Sequence, residues 1–277
     1  MFINRIKAIT LRTLGVEFED SSSIPNLAVK RGLKLMGVNS SSKEFMFVKK
    51  MYRKSGSHIR IQKSYSFNGE DLILARFLPE LMGLYLDIGS GDPKLGSNTY
   101  LFYSRGWSGI TIDPLENSFH KHRFKRGRDR QILGVVTSGD AAGAKPIFYE
   151  YLANDFSTTS EGRYLQLKQE GTYPIKIREV APIKLEQLEL SAGPLEPYLL
   201  DIDIEGNEFE ILQSNNWEIF LPRVIAVEEW VSPIYQPTAV RSLLEAQGYI
   251  LSSRAAVTSI YVHEAYLKNL ETLKNAD

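Results

Sequence analysis

From residue 64 onward, short apolar runs alternate with amphipathic stretches, and the spacing assigns most of them. In EDLILARFLPEL (70–81) leucines recur at helical spacing, which predicts a helix with Leu74, Leu78 and Leu81 on one side. LYLDI (84–88) reads as a short strand buried on both faces. NTYLFYSRG (98–106) is a helix closed by Gly106, GITID (109–113) the next strand, and ENSFHKHRFKRG (116–127) a basic helix ended by Gly127. QILGVVT (131–137), YLLDID (198–203) and RVIAVEE (223–229) are further strands, with the helix EFEILQ (208–213) between the last two. KLEQLEL (184–190) suggests a short helix and PTAVRSLLEAQG (237–248) a longer one. YILSSR (249–254) and TSIYVHE (258–264) end the body as a hairpin. The stretch 145–183 is irregular and partly β, since IKIREV alternates. Strands alternating with helices predict an α/β fold, with a mostly parallel sheet covered on both faces and a C-terminal antiparallel hairpin.

Residues 1–63 read differently. They hold 13 Lys+Arg against 4 Asp+Glu, although the whole chain is balanced at 33 of each. A basic N-terminal extension therefore precedes an acidic body, and the division predicted is 1–63 and 64–277. SSSIPN (21–26) and NSSSK (39–43) are loops, and a short amphipathic helix with Phe2, Ile6 and Ile9 on one face is expected. Such an extension suits a weak contact with an anionic membrane surface or a partner; no nucleic-acid partner is expected, and a homo-oligomer is allowed. The absence of cysteine excludes a disulfide scaffold, a thiolate metal site and a Cys nucleophile. It suits a reducing compartment, so a cytoplasmic location is expected. No stretch approaches the apolar length of a membrane span, and the N-terminus lacks the uninterrupted apolar core of a signal peptide.

The chemistry concentrates between Asp87 and Asp113, in DIGSGDPKLGSNTYLFYSRGWSGITID. Ligands in open α/β sheets bind beyond the carboxyl ends of the strands. Asp87, Gly89, Ser90 and Gly91 follow the first strand of the body, and Asp113 ends the second, where an acidic side chain can hold two ribose hydroxyls. A dinucleotide site wants G-x-G-x-x-G to seat a pyrophosphate on a helix N-terminus. Here the third glycine, Gly96, is displaced, and Asp87 would repel a pyrophosphate while favouring a cationic sulfonium or ammonium group. The loop therefore suits S-adenosylmethionine better than a nicotinamide dinucleotide. An NAD-dependent sugar oxidoreductase is disfavoured on the same ground, and because no Tyr-x-x-x-Lys relay pair stands out.

Four blocks, YSFNGEDLIL, YLDIGSGDPKLGSNTYLFYSRGWSGITIDP, LLDIDIEGNEFEIL and PRVIAVEEW, resemble in order those of the FkbM-type S-adenosylmethionine-dependent methyltransferases, over about residues 64–262. The resemblance implies the class I methyltransferase fold, Rossmann-like, with a seven-stranded sheet of order 3-2-1-4-5-7-6. It also implies O-methylation of hydroxyls, often those of sugars, so a sugar or nucleotide-sugar acceptor is expected. It places Glu70 near the ammonium end of the cofactor; Asn98 and Thr99, at the start of the following helix, join it there, with Asn98 toward the methionine carboxylate. Three family features are missing: Phe67 stands where Gln is usual, no Lys precedes D-x-E-G, and AAVTSIYV lacks the usual Asn.

A sugar hydroxyl is a weak acid, so methyl transfer to it calls for a base or a Lewis acid. Asp203 and Glu205 follow the fourth strand, and Glu228 and Glu229 end the fifth, beside the cofactor crevice. Hard oxygen donors without cysteine point to Mg²⁺ or Mn²⁺, or to Ca²⁺. Asp203, Glu205 and Glu228 are the expected metal ligands, and Asp203 or Asp201 the catalytic base if no metal acts. The basic segment around His120 and His122 reads as a solvated face, His263 as structural, Trp107 as core and Trp230 as pocket wall. Tyr235 falls where a lid would be. The alternative is a non-catalytic cofactor-binding domain serving a polysaccharide-assembly complex.

Overall fold

The computed structural model describes residues 16–19, 58–61, 63–139, 145–153 and 156–274. The chain divides into two compact units, Met1–Ser64 and Tyr65–Asp277. In the first, strands β1 (Val16–Glu19) and β2 (His58–Ile61) pair antiparallel, with Val16 opposite Ile61 and Phe18 opposite Ile59. The helix expected around Phe2, Ile6 and Ile9 lies outside the described residues.

The second unit follows the alternation closely. Its elements begin with α1 (Glu70–Phe77), β3 (Leu84–Ile88), α2 (Tyr100–Arg105), β4 (Ser108–Asp113), α3 (Glu116–Lys125), β5 (Arg130–Leu133) and β6 (Val135–Val136). An inserted stretch holds β7 (Ile147–Glu150), α4 (Glu161–Gln169), β8 (Lys176–Glu179) and β9 (Pro182–Ile183). The rest is β10 (Tyr198–Ile202), α5 (Glu208–Gln213), β11 (Val224–Glu228), α6 (Ala239–Ala246), β12 (Tyr249–Ala255), β13 (Thr258–His263) and α7 (Glu264–Lys274). Seven strands form one sheet of order β12-β13-β11-β10-β3-β4-β5. β13 runs antiparallel to both its neighbours; the other pairings are parallel.

The central strands are buried on both faces, which is why they read as mostly apolar runs without a period of two. Leu86, Ile88, Leu200, Ile202, Ile225 and Val227 pack on one face with Ile211 and Leu212 of α5 and Val240 and Leu244 of α6. Tyr85, Leu199, Val224, Ala226, Ile260 and Val262 pack on the other with Leu74 and Leu78, Phe102 of α2 and Tyr266 of α7.

Several expected boundaries move for local reasons. α1 ends at Phe77 rather than 81, because Pro79 disfavours helical backbone at Leu78. Leu81, expected on the buried side, is accordingly exposed. The third strand splits at Gly134, where a β-carbon would stand 2.6 Å from the Ala181 carbonyl oxygen. β5 stays in the large sheet while β6 pairs with β9. KLEQLEL forms a 3-10 turn, Leu185–Leu188, instead of an α-helix. Among the described residues no helix is long and apolar enough to cross a membrane.

Trp107 is the largest fully buried side chain. It packs on Phe102 at 4.9 Å between ring centroids, and its indole Nε1 donates to the Glu80 carbonyl at 2.9 Å. A β-carbon at Gly83 would stand 2.6 Å from its ring, so the site cannot close over a smaller residue without backbone movement. Trp107→Ala is expected to lower unfolding free energy by about 3–5 kcal/mol, measured by urea denaturation.

Candidate active site

A cavity of about 500 Å³ opens at the carboxyl ends of β3, β4, β10 and β11. Of the residues singled out in the sequence, Glu70, Gly89, Ser90, Gly91, Asn98, Asp113, Asp203, Glu205 and Glu228 line it; Asp87, Thr99 and Asp201 do not.

The glycine loop is shaped by backbone contacts. Gly89 has φ +85°, and a β-carbon there would stand 1.7 Å from the Asp203 carbonyl oxygen. Its N–H donates to the Ile112 carbonyl at 2.9 Å, and the Asp203 N–H donates to the Ile88 carbonyl at 3.0 Å. The ends of β3, β4 and β10 are thereby laced together. Asp113 accepts from the Gly91 N–H at 2.8 Å through one oxygen and from the Leu115 N–H at 2.7 Å through the other. Burial pushes its pKa up to about 6 against those two hydrogen bonds. Each oxygen keeps a further lone pair with which to accept a ligand hydroxyl. Glu70 holds Asn68, accepting from its backbone N–H at 2.8 Å and its Nδ2 at 2.9 Å.

Behind the cavity wall lies a buried ionic network. Strand alternation turns Asp87 toward the sheet face covered by α1 and α2, where it accepts from the Thr99 hydroxyl. Arg126 Nη2 donates to Thr99 Oγ1 at 2.9 Å, Nε to Asp129 at 2.8 Å, and Nη1 lies 3.8 Å from Asp87. The Tyr85 hydroxyl donates to Asp129. Asp201 pairs in register with Asp87, and Asn98 Nδ2 donates to it at 3.1 Å. Burial, then the Asp87 charge, raises the Asp201 carboxyl well above the usual range. Asn98, which lines the cavity, stands between it and Asp201, while Asp87 and Thr99 lie deeper in the network. The cofactor contact expected of Asp87 and Thr99, and the base expected of Asp201, thus fall on residues set behind the cavity lining.

The basic helix presents the expected solvated face through His120, Lys121, Arg123 and Lys125, but it also has an inward stripe. Ser118, His122 and Arg126 recur at intervals of four and are all buried. Neither ring nitrogen of His122 has a hydrogen-bond partner, and burial pushes its pKa down to about 4. Only the outer side of the helix matches the expectation, with Lys121 paired to Asp92 at 3.2 Å.

Asp203, Glu205 and Glu228 converge, with one oxygen of each within 4.8 Å of the others. Glu205 sits at φ +58°, and both glutamates are buried. Burial, then the charges of Asp203 and Glu205, push the Glu228 pKa up to about 9. Its Oε2 is buried with no hydrogen-bond partner. Hard, mutually repelling oxygens around an unsatisfied buried one are a donor set that fits a divalent cation. Arg163, from the unexpected helix α4, brings Nη2 to 3.7 Å from Glu205 Oε2 and its guanidinium to 4.9 Å from the Trp230 ring centre.

The remaining candidates have structural partners. Glu229 accepts from Thr238 at 2.6 Å and Tyr261 at 2.8 Å, away from the cavity. His263 Nδ1 accepts from the Ala265 N–H at 3.2 Å. Tyr235 is exposed and does not line the cavity. A Tyr-x-x-x-Lys spacing does exist in Tyr164 and Lys168, but Tyr164 stacks on Tyr149 at 4.2 Å and neither residue lines the cavity.

Counted in chain order from β3, the seven sheet strands lie 3-2-1-4-5-7-6 with only the seventh reversed, which defines the class I methyltransferase fold. The model of the methyltransferase FkbM domain matches residues 87–251, and the chain belongs to that family of S-adenosylmethionine-dependent methyltransferases. Two solved structures are similar. One is a TehB-like S-adenosylmethionine-dependent methyltransferase from Corynebacterium glutamicum, 10% identical, over 80% of this chain and 97% of that one, at TM-score 0.35. The other is the magnesium protoporphyrin IX methyltransferase of Synechocystis with bound S-adenosylmethionine, 12% identical, over 88% and 99%, at TM-score 0.32. Superpositions this loose add nothing to the assignment made by the sheet order and the family. No curated protein matches the chain.

Arg126 is the one cation in contact with Asp87, Asp129 and Thr99 among the described residues. Arg126→Met leaves two buried carboxylates uncompensated and is expected to cost about 3–5 kcal/mol at neutral pH. In urea denaturation the deficit should narrow as the pH is lowered, because burial raises the pKa of both Asp87 and Asp129 and their neutral forms no longer need the guanidinium.

Proposed function

We propose that this protein is an O-methyltransferase that transfers the methyl group of S-adenosylmethionine to a hydroxyl of a sugar, glycan or nucleotide-linked sugar, assisted by a divalent cation. The observation that carries the proposal is the convergence of Asp203, Glu205 and Glu228 at two adjacent strand ends in the same cavity as the glycine loop. A cation held by these three would act as the Lewis acid that makes a weakly acidic hydroxyl reactive. Asp203, the exposed member, stands where it can accept the proton that the hydroxyl loses as its oxygen bonds to the methyl carbon and the carbon–sulfur bond breaks.

On the donor side, Asp113 is assigned to the ribose hydroxyls, Glu70 to the ammonium group and Asn98 to the carboxylate. The Gly89–Gly91 backbone allows the close approach. Asp201 supports the Asn98 contact from behind by accepting from its Nδ2. The basic 1–63 extension is assigned to an acidic partner or anionic surface, on the strength of its charge.

Asp113→Ala should weaken binding of S-adenosylhomocysteine at least about tenfold in calorimetry, since losing a charge-assisted hydrogen bond costs about 1.5–3 kcal/mol and 1.4 kcal/mol is a factor of ten. Binding to the wild type should be stronger above pH 6 and weaken as the pH falls through it, because the raised pKa of Asp113 leaves the carboxyl neutral below that point. Asp113→Asn should flatten this profile. Unchanged affinity in both variants would remove Asp113 from the donor site.

Methyl transfer from labelled donor to a panel of sugars should stop in excess chelator and return with Mg²⁺ or Mn²⁺. Asp203→Asn should abolish turnover and keep S-adenosylhomocysteine affinity. Calorimetric Mn²⁺ titrations in two buffers should show proton release at pH 7, since Glu228 is protonated in the cation-free protein. Full activity in chelator would leave Asp203 as a metal-free base. An absence of transfer to every sugar, with donor binding intact, would favour the non-catalytic reading.

A further inference from the structure

Trp230 follows β11 directly, two residues beyond Glu228, and lines the cavity while remaining 57% exposed. A large aromatic ring left open to water inside a cavity of carboxylates is an unfilled contact surface. It is also held in place. The Arg163 guanidinium lies over the ring at 4.9 Å from its centre and reaches Glu205 at 3.7 Å. Arg163 Nε is buried with no hydrogen-bond partner, so the side chain is packed rather than solvated.

The segment that carries Arg163 is fastened to the loop of the carboxylates. The Thr158 hydroxyl donates to the Glu205 carbonyl at 2.8 Å, and Asn207 Nδ2 donates to Thr159 Oγ1 at 3.0 Å. Ser160 caps α4 by accepting from the Arg163 N–H at 3.3 Å. At Gly206, with φ +130°, a β-carbon would stand 3.0 Å from the Ser160 β-carbon, so the approach of the two segments depends on glycine. Phe156, which also lines the cavity, begins this segment.

We infer that Trp230, braced by Arg163, is the acceptor platform: a pyranose ring lies with its C–H face on the indole and turns a rim hydroxyl toward Asp203 and Glu228. The inference rests on the reading that a methyl acceptor enters this cavity, and it names the side chain that selects the acceptor. A pyranose fits because it joins an apolar face to a rim of hydroxyls. The site offers the same two surfaces, an indole face beside carboxylate oxygens.

The test uses the full chain and the indole itself. Trp107 is fully buried and Trp217 partly buried, so Trp230 dominates quenching by acrylamide. Methyl glucoside, galactoside, mannoside and rhamnoside are titrated at millimolar concentration, with p-cresol as the planar aromatic control. At least one pyranoside should protect the indole from acrylamide and shift its emission to the blue, and Trp230→Phe should lose that signal. With the best pyranoside as acceptor, Trp230→Ala should raise KM about tenfold or more with a smaller change in kcat, and Trp230→Phe should recover most of the loss. Arg163→Met should raise the same KM without altering affinity for S-adenosylhomocysteine. Protection by p-cresol alone, protection by none of the probes, or an unchanged KM in Trp230→Ala would overturn the platform. S-adenosylhomocysteine calorimetry on the wild type separates the two failures: intact donor binding with an unprotected indole removes the platform alone, whereas lost donor binding removes the methyltransferase site.

Discussion

Between the glycine loop and the carboxylates there is almost no room: a β-carbon at position 89 would stand 1.7 Å from the Asp203 carbonyl oxygen. That contact fixes the distance between the two halves of the site. The loop after β3 carries the glycines and Asn98 of the donor side, and the loop after β10 carries Asp203 and Glu205. Only a residue without a side chain, and with access to φ +85°, lets the loops touch. The parallel register of β3 with β10, Asp87 opposite Asp201, delivers them at the same height. Everything proposed about in-line transfer depends on this proximity, because a misplacement of about 1 Å between reacting groups costs on the order of a hundredfold in rate.

The same geometry concentrates acid. Asp87 and Asp201 lie side by side inside the sheet, and Asp203, Glu205 and Glu228 crowd the strand ends. The two groups are handled differently. The inner pair is answered from within the chain: Arg126 serves Asp87, Asn98 donates to Asp201, and the Asp201 carboxyl is raised well above the usual range. The outer trio has Arg163 beside Glu205 but an unsatisfied oxygen on Glu228. A buried carboxylate without a partner is tolerated where something else is meant to complete it. That asymmetry separates carboxylates that shape the cavity from those assigned to its chemistry.

What the sequence disclosed followed from how many faces of each element are buried. β3, β10, β11 and β13 are buried on both faces, so their mostly apolar runs located them within a residue or two. The glycine loop and Asp113 were readable because tight turns demand particular residues. The inward stripe of α3 was not, since Ser118, His122 and Arg126 are as polar as the face turned to water, and hydrophobic spacing is blind to a polar core. α4 was missed for the opposite reason: its one buried residue is Leu167, which gives no period to detect. Its visible sign was Ser160 followed by Glu161, a capping residue and an acidic first turn. The position of Asp87 behind the wall turns on strand alternation, and that of Thr99 on the N-terminus of α2, neither of which the motif shows.

These blind spots are unevenly placed. The donor side is built mainly from strand ends and glycines, whose positions the sheet dictates. The acceptor side is built from the end of β11 and the insertion between β6 and β9, where the sheet imposes little. The insertion packs Phe148 and Val180 on Leu115 and Val135, and its link to the Glu205 loop is polar, Thr158 to Glu205 and Asn207 to Thr159. Polar contacts of this kind add about 0.5–1.5 kcal/mol each, so the segment can change in length and residue type without disturbing the sheet. Selection among acceptors therefore has a natural place on that segment and on Trp230, while the donor and the three carboxylates stay fixed by the strands.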